Sequence, residues 1–309
     1  MRTAADLLTE IRHLVTVHAR PDLRTPVDGL LLSRVETAEP DYSLTEPLLV
    51  VMAQGAKQLL LGDRVFEYGA GQCLVVTADL PVTGHFAGAS PDTPALGVGL
   101  ALRPAAIAPL LLAAPPQGPA AAGPRTTEGL PAITTGPAGP ELLDAVVRLL
   151  RLLDHPADRP VLAPLIEQEI MWRLLTGPYA GALRQIGRAD SGLALVGRAI
   201  RWIRDHYAEP LRIADLAGLA ALSPSAFHRH FRAVTAMSPL QFQKRIRLQE
   251  ARSLLAVRPG DVAGVGHLVG YDSPSQFNRE YRRLFGAPPG LDAARLRAAA
   301  GVPGAARLP

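Results

Sequence analysis

Cysteine is almost absent: Cys73 is the one thiol in 309 residues. A lone cysteine excludes an intrachain disulfide and a thiolate metal site within one chain, and it suits a reducing cytoplasm. Long apolar runs are also missing. No stretch of about 18 apolar residues lacks Pro, Gly or charge, so no membrane span or membrane partner is expected. The opening segment, MRTAADLLTEIRHL, carries Asp6 and Glu10 inside its apolar run, which argues against a secretory signal. The eight histidines include no H-E-x-x-H run. No phosphate-binding glycine loop and no nucleophile motif is present, so neither a metal nor an organic cofactor is expected.

What is present is an uneven charge. Residues 191–300 hold 16 Lys+Arg against 8 Asp+Glu, a balance of +8, whereas the rest holds 16 against 20, a balance of −4. Lys244 is the single lysine among those 16 basic residues. A basic segment beside an acidic one fits a nucleic-acid module joined to a domain that does not bind nucleic acid. A solvated arginine-rich surface would give the same totals, so charge alone does not decide.

Residues 1–20 read as a short amphipathic helix, with Leu7, Ile11, Leu14 and Val15 at helical spacing. From about 30 to 102 the pattern is strand-like: LLVVMAQ (48–54), AKQLLL (56–61), RVFEY (64–68) and QCLVVT (72–77) are separated by glycine-containing breaks. Gly62-Asp63 suits a two-residue hairpin turn, because glycine supplies the positive φ. Short strands at this spacing predict an antiparallel sandwich or barrel. A Pro/Gly/Ala-rich stretch over 113–140 reads as an irregular connection. Helices are expected over 141–155 and 161–177, the second with a stripe of Leu165, Ile166, Ile170 and Leu174. They either cap the sheet or pair with a second subunit in a homodimer. The glycine-containing stretch 178–192 reads as a linker, and 193–297 as all-helical.

The basic region contains an internal repeat. SPSAFHRHF (223–231) and SPSQFNREY (273–281) both fit S-P-S-x-F-x-R-x-[FY]. Ser223 and Ser273 are suited to cap a helix, and Pro224 and Pro274 then occupy the first helical position, where no N–H is needed. Phe227/Phe231 and Phe277/Tyr281 are four apart and face a core. Ser225, His228, Arg229 and Arg232 in one copy, and Ser275, Gln276, Asn278 and Arg279 in the other, are left facing outward. These residue types can hydrogen-bond to base edges. Each copy follows a short apolar helix, so the units 212–234 and 261–284 read as two helix-turn-helix motifs. Residues 238–256 form a helix between them, long enough at about 1.5 Å per residue to span roughly 26 Å.

On these residues the chain resembles the AraC family of bacterial transcription regulators. LAGLAALSPSAFHRHF (216–231), MSPLQFQKRIRLQEARSLL (237–255) and VGYDSPSQFNREYRRLFGAPP (269–289) resemble the family's double helix-turn-helix domain. Residues 45–86 resemble the β-rich N-terminal domain of one branch. The resemblance implies an α+β chain: a cupin-like β-barrel with flanking helices over 1–177, a linker, a DNA-binding domain over 193–297, and a disordered tail over 298–309. It implies double-stranded DNA, RNA polymerase and a small-molecule effector as partners, and regulation of transcription rather than enzyme activity. Ala221 and Ala236 stand where the family usually has glycine. If the backbone there needs φ > 0, each alanine costs on the order of 1 kcal/mol. Gly264 and Gly266 weaken the helix before the second turn by roughly 1 kcal/mol each.

Other readings stay in view. A metal-binding cupin enzyme would need convergent histidines, and only His85 falls in the β region. A DNA-repair protein with the same helical domain would need a reactive thiol, and no basic neighbour in sequence activates Cys73. A general architectural DNA binder remains a third alternative. His230 reads as a packing residue and Cys73 as a small buried strand residue, with a sensor thiol as its sharper alternative.

Overall fold

The computed structural model describes residues 2–114, 131–187, 192–258 and 260–300. Helix α1 (Ala4–His18) is opened by a capping box between Thr3 and Asp6 and buries Leu7, Ile11, Leu14 and Val15. Eight strands follow: β1 (Leu30–Val35), β2 (Asp41–Thr45), β3 (Leu48–Gln54), β4 (Ala56–Leu61), β5 (Arg64–Gly69), β6 (Gln72–Val76), β7 (Leu80–Ala87) and β8 (Ala95–Ala101). Helix α2 (Pro104–Ala113), strand β9 (Ile133–Pro137) and helices α3 (Pro140–Arg151), α4 (Arg159–Thr176) and α5 (Ala180–Gly187) complete the N-terminal half.

The strands form two antiparallel sheets rather than a closed barrel, in the orders β1-β8-β3-β6-β9 and β2-β7-β4-β5. The continuous apolar run of β3 has a simple cause, since the strand is buried on both faces. Leu48, Val50 and Met52 face the second sheet, while Leu49, Val51 and Ala53 face the helices. Between the sheets, Leu59, Leu61, Tyr68, Leu80, Val82 and Phe86 fill the interior. On the outer face of the first sheet, α1, α3, α4 and α5 form one layer around Cys73, Val75, Val98 and Leu100.

Three expectations are corrected here. The irregular connection over 113–140 ends in a strand, β9, which pairs with β6 from Val76↔Ile133 to Gln72↔Pro137. Its proline is tolerated because β9 is an edge strand; residues 115–130 of that stretch lie outside the described residues. The stretch read as a linker is helical over Ala180–Gly187, and Ala182 and Leu183 pack into the N-terminal core. Its glycines masked that amphipathic pattern. The apolar stripe of α4 holds only at Ile170 and Leu174; Ile166 is half-buried and Leu165 is 58% exposed, because the first turns of α4 run along the surface.

The C-terminal half comprises α6 (Gly192–Asp205), α7 (Ile213–Leu219), α8 (Pro224–Thr235), α9 (Pro239–Val257), α10 (Val262–Leu268), α11 (Pro274–Phe285) and α12 (Pro289–Ala300). Residues 298–300 thus continue a helix, and 301–309 lie outside the described residues. One core gathers Val196, Ile200, Leu216, Phe227, Phe231, Phe242 and Ile246. A second gathers Leu248, Leu255, Val265, Phe277 and Tyr281. Helix α9 contributes its first half to one and its second half to the other.

Candidate nucleic-acid interface

The pairs α7–α8 and α10–α11 are built alike. Ser223 accepts a hydrogen bond from Ala226 N at 3.3 Å, and Ser273 from Gln276 N at 3.3 Å, so both second helices carry the expected cap with proline following. The turns also match. Ala221 N donates to Gly218 O at 3.0 Å and Leu222 N to Ala217 O at 3.0 Å; Gly270 N donates to His267 O at 2.9 Å and Tyr271 N to Gly266 O at 3.0 Å. These turns are 49 residues apart (221 to 270), whereas the caps are 50 apart (223 to 273). Asp272 is therefore an inserted residue, and the second turn is one residue longer.

The positive φ expected at the alanines is present, 54° at Ala221 and 56° at Ala236, against 88° at Gly270 and 76° at Gly286. Gly266 has a packing reason to be glycine: a Cβ there would lie 3.0 Å from the Phe277 ring. The helix propensity lost in α10 is exchanged for close contact with α11.

On α8, Phe227 and Phe231 are buried, while Ser225, His228, Arg229 and Arg232 are exposed along one side. On α11, Phe277 and Tyr281 are buried and Ser275, Asn278 and Arg279 are exposed. Gln276 differs from the other seven. It is half-buried, and its Nε2 donates to Glu280 Oε1 at 3.0 Å. Glu280 also accepts from Lys244 Nζ at 2.8 Å and from the Tyr271 hydroxyl at 2.8 Å. Burial pushes the Glu280 carboxyl up, but its three hydrogen-bonded neighbours outweigh that and hold it below its ordinary value. Asn278 Nδ2 donates to Pro274 O at 3.0 Å and so lies back on its own helix. The first unit has Ala226 and His230 in place of Gln276 and Glu280, and no equivalent polar clamp.

Arg282 was missed in the sequence reading. It is exposed and stands 50 residues after Arg232, so the repeat offset was signal enough to find it. Arg245, Arg247 and Gln249 were missed too, and there the sequence offered no signal, because their partners lie in distant segments.

Those partners belong partly to the N-terminal sheet. Helix α9 lies over the face of β2 and β7 that presents Tyr42 and Thr83, which are paired in register. Gln249 Nε2 donates to Ser43 O at 3.1 Å and to Val82 O at 3.0 Å. Arg252 stacks over the Tyr42 ring at 4.8 Å while ion-pairing with Asp292 at 2.8 Å. Arg245 has no carboxylate at ion-pair distance among the described residues, and burial lowers its pKa. Within the sheet pair, Lys57 is 2% exposed at its side chain and lies 3.8 Å from Asp41. Gly84 makes room for it, since a Cβ there would meet Lys57 Cε at 2.5 Å. Between the β6–β7 connection and α6 lies a cleft of about 350 Å³, bordered by Ala78, Asp79, Ile186, Leu193, Ile200 and Arg201. Among the described residues no cluster of three metal-ligating side chains occurs, and no helix is long and apolar enough to cross a membrane.

A sequence profile of the AraC-type transcriptional regulator N-terminus matches residues 26–182, and a helix-turn-helix domain profile matches 216–293. The chain belongs to the AraC-type transcriptional regulators. That is a family of regulators, not of enzymes. The HTH-type transcriptional activator RhaS of Yersinia pestis is 25% identical over 150 residues, which cover 48% of this chain and 54% of RhaS. The match thus spans about half the length of that relative. Among solved structures, an apo ToxT variant from Vibrio cholerae aligns with a TM-score of 0.57 at 9% identity, covering 88% of this chain and 100% of ToxT. Unsaturated fatty acid bound wild-type ToxT from Vibrio cholerae aligns with a TM-score of 0.55 at 10% identity, covering 87% and 96%. At those identities the likeness establishes the fold alone. This AraC-type chain thus has a mixed α+β architecture, with antiparallel sheets first and a helical helix-turn-helix region last.

Proposed function

We propose that this regulator binds specific double-stranded DNA through α8 and α11, and that a small-molecule effector held by its N-terminal half adjusts that binding. The carrying observation is the pair of capped helices whose outward sides present Ser225, His228, Arg229 and Arg232, and Ser275, Asn278 and Arg279, on a segment with a balance of +8. Gln276 contributes through its clamp to Glu280. Each α8-type helix enters a major groove, and two successive grooves on one face of B-DNA lie about 34 Å, or roughly 10 base pairs, apart. One subunit's site therefore holds two blocks of different sequence in fixed order. The test is binding of the full chain to duplexes selected from a random library. Inserting about 5 base pairs between the blocks turns one to the opposite face and should remove its contacts. Unchanged affinity after the insertion would mean that only one unit reads DNA.

Because the space between the sheets is filled by side chains, the effector seat is the cleft facing α6 and not the interior between the sheets. A ligand there touches both the sheet domain and the first helix of the DNA-binding half, so its affinity differs between arrangements of the two. The largely apolar lining carries Arg201 and Asp79, and Asp79 is already ion-paired with Arg204 at 2.8 Å. Arg201 is therefore left to meet a small apolar molecule with an acidic group, the class bound by the structural neighbour ToxT in its fatty-acid complex. Arg201→Ala should abolish the effector response while leaving effector-free DNA binding in place. A second copy of the chain pairs along α3–α4, where Val161, Leu162 and Leu165 stand exposed beside Arg148 and Glu169, charges of opposite sign that a twofold copy can match. Leu165→Glu should then yield monomers by sedimentation.

A further inference from the structure

Arg247, in the middle of α9, spends its guanidinium on backbone carbonyls. Nε donates to Tyr207 O at 2.6 Å, Nη1 to Gly270 O at 2.6 Å, and Nη2 to Ala208 O at 3.1 Å and Glu209 O at 3.0 Å. Gln243, one helical turn earlier on the same face, donates to Tyr207 O at 3.0 Å and to Glu209 O at 2.6 Å. Residues 207–209 form the connection from α6 to α7 and belong to the first unit. Gly270 is the turn of the second. These two turns also touch directly, since a Cβ on Gly270 would lie 2.2 Å from Ala208 O. One planar fork therefore holds three segments at once: the first unit's entry, the linker helix and the second unit's turn.

We infer that Arg247 is a specificity-determining positioning residue, which sets the spacing and angle at which α8 and α11 meet DNA. The inference rests on the DNA-binding reading above. The linker helix fixes how far apart the units are, but a helix alone leaves each unit able to swivel about its end. The swivel is removed by bonds from one rigid group to carbonyls of both units. A lysine supplies a charge and three donors from a point, not a planar fork, and cannot reach both turns in the same geometry. The carbonyls of residues 207–209 follow the C-terminal end of α6, where a cation is also favoured by the helix dipole.

The test uses the full chain and duplexes selected from a random-sequence library, comparing the natural protein with Arg247→Met, Arg247→Lys and Gln243→Ala. The natural protein should select two blocks at one spacing. Arg247→Met should select the same two blocks over a range of spacings, and its affinity for the fixed-spacing duplex should fall at least about tenfold, while affinity for either block alone stays within about twofold. Arg247→Lys should restore the charge without restoring the single spacing. If Arg247→Met fails to fold by circular dichroism, Arg247→Lys and Gln243→Ala carry the comparison. A single retained spacing in the folded variants overturns the inference, as does an equal loss for single blocks and for the pair. Failure of the natural protein to select any sequence would instead overturn the DNA-binding reading, and with it this one.

Discussion

Arg245 of the linker helix α9 reaches the N-terminal sheet and donates from Nη2 to Thr83 Oγ1 at 2.9 Å. The helix that joins the two DNA-facing units is thus the same element on which the sheet domain rests, and Gln249 adds two bonds one turn further on, to Ser43 and Val82. The sheet domain therefore touches the very element that joins the two units. Replacing Gln249 with leucine removes those bonds, each worth about 1 kcal/mol. Amide exchange in β2 and β7 should rise and the two halves should unfold less cooperatively. Exchange rates equal to those of the natural protein would show that the seam does not couple the halves.

Arg229 and Arg279 stand exposed on matching faces of α8 and α11. Changing either to alanine should weaken DNA binding by roughly 1–3 kcal/mol and relax preference at particular base pairs, as expected for arginine on guanine edges. A uniform loss across operator variants would place these side chains on phosphates instead.

Ala221 and Ala236 adopt left-handed φ values of 54° and 56°. Glycine at either position relieves a steric cost of about 1 kcal/mol, less what glycine adds to the entropy of the unfolded chain. Ala221→Gly and Ala236→Gly should each raise the urea midpoint, and a lowered midpoint would contradict the strain.

Cys73 is buried under the α-helical layer, and burial pushes its thiol up to about 11. Thiolate at pH 7 is therefore much scarcer than for a free thiol. Labelling by a disulfide reagent should be slow in the folded protein and fast in denaturant. Fast labelling of the folded chain would revive the sensor-thiol reading.

Glu280 has its carboxyl held below the ordinary value in the folded chain by Lys244, Gln276 and Tyr271, against the opposing pull of burial. A lowered folded pKa gives stability that is fully present above the unfolded value near 4.5 and is lost as pH falls through the lower folded one. Acid should therefore unfold the second unit partly through this carboxylate, and Glu280→Gln should flatten the acid limb of the stability curve. An unaltered acid limb would mean the cluster carries no net charge linkage.

Local chemistry was enough to read much of the protein. The Ser-Pro caps at 223 and 273, the aromatic pairs four apart and the glycine-broken strands are short-range signals, and each appears in the structure where it was expected. Seven of the eight residues read as outward-facing are exposed, because helical periodicity alone settles which side of α8 and α11 faces the core. Gln276 departs from that rule through a partner on its own helix, Glu280, that itself depends on Lys244 of α9.

The amino-acid sequence by itself determined the tandem units, their caps and the strand-rich first half, since each rests on residues within a few positions of one another. Tertiary structure alone decided that the strands form two packed sheets rather than a closed barrel, that residues 180–187 fold into the N-terminal core, and that α9 is shared between the sheet domain and both units. Those outcomes depend on contacts across long separations, such as the 206 residues from Ser43 to Gln249, or the 40 from Tyr207 to Arg247. A guanidinium chooses among carbonyls by the geometry that packing brings to it, and no periodicity in the sequence records that choice.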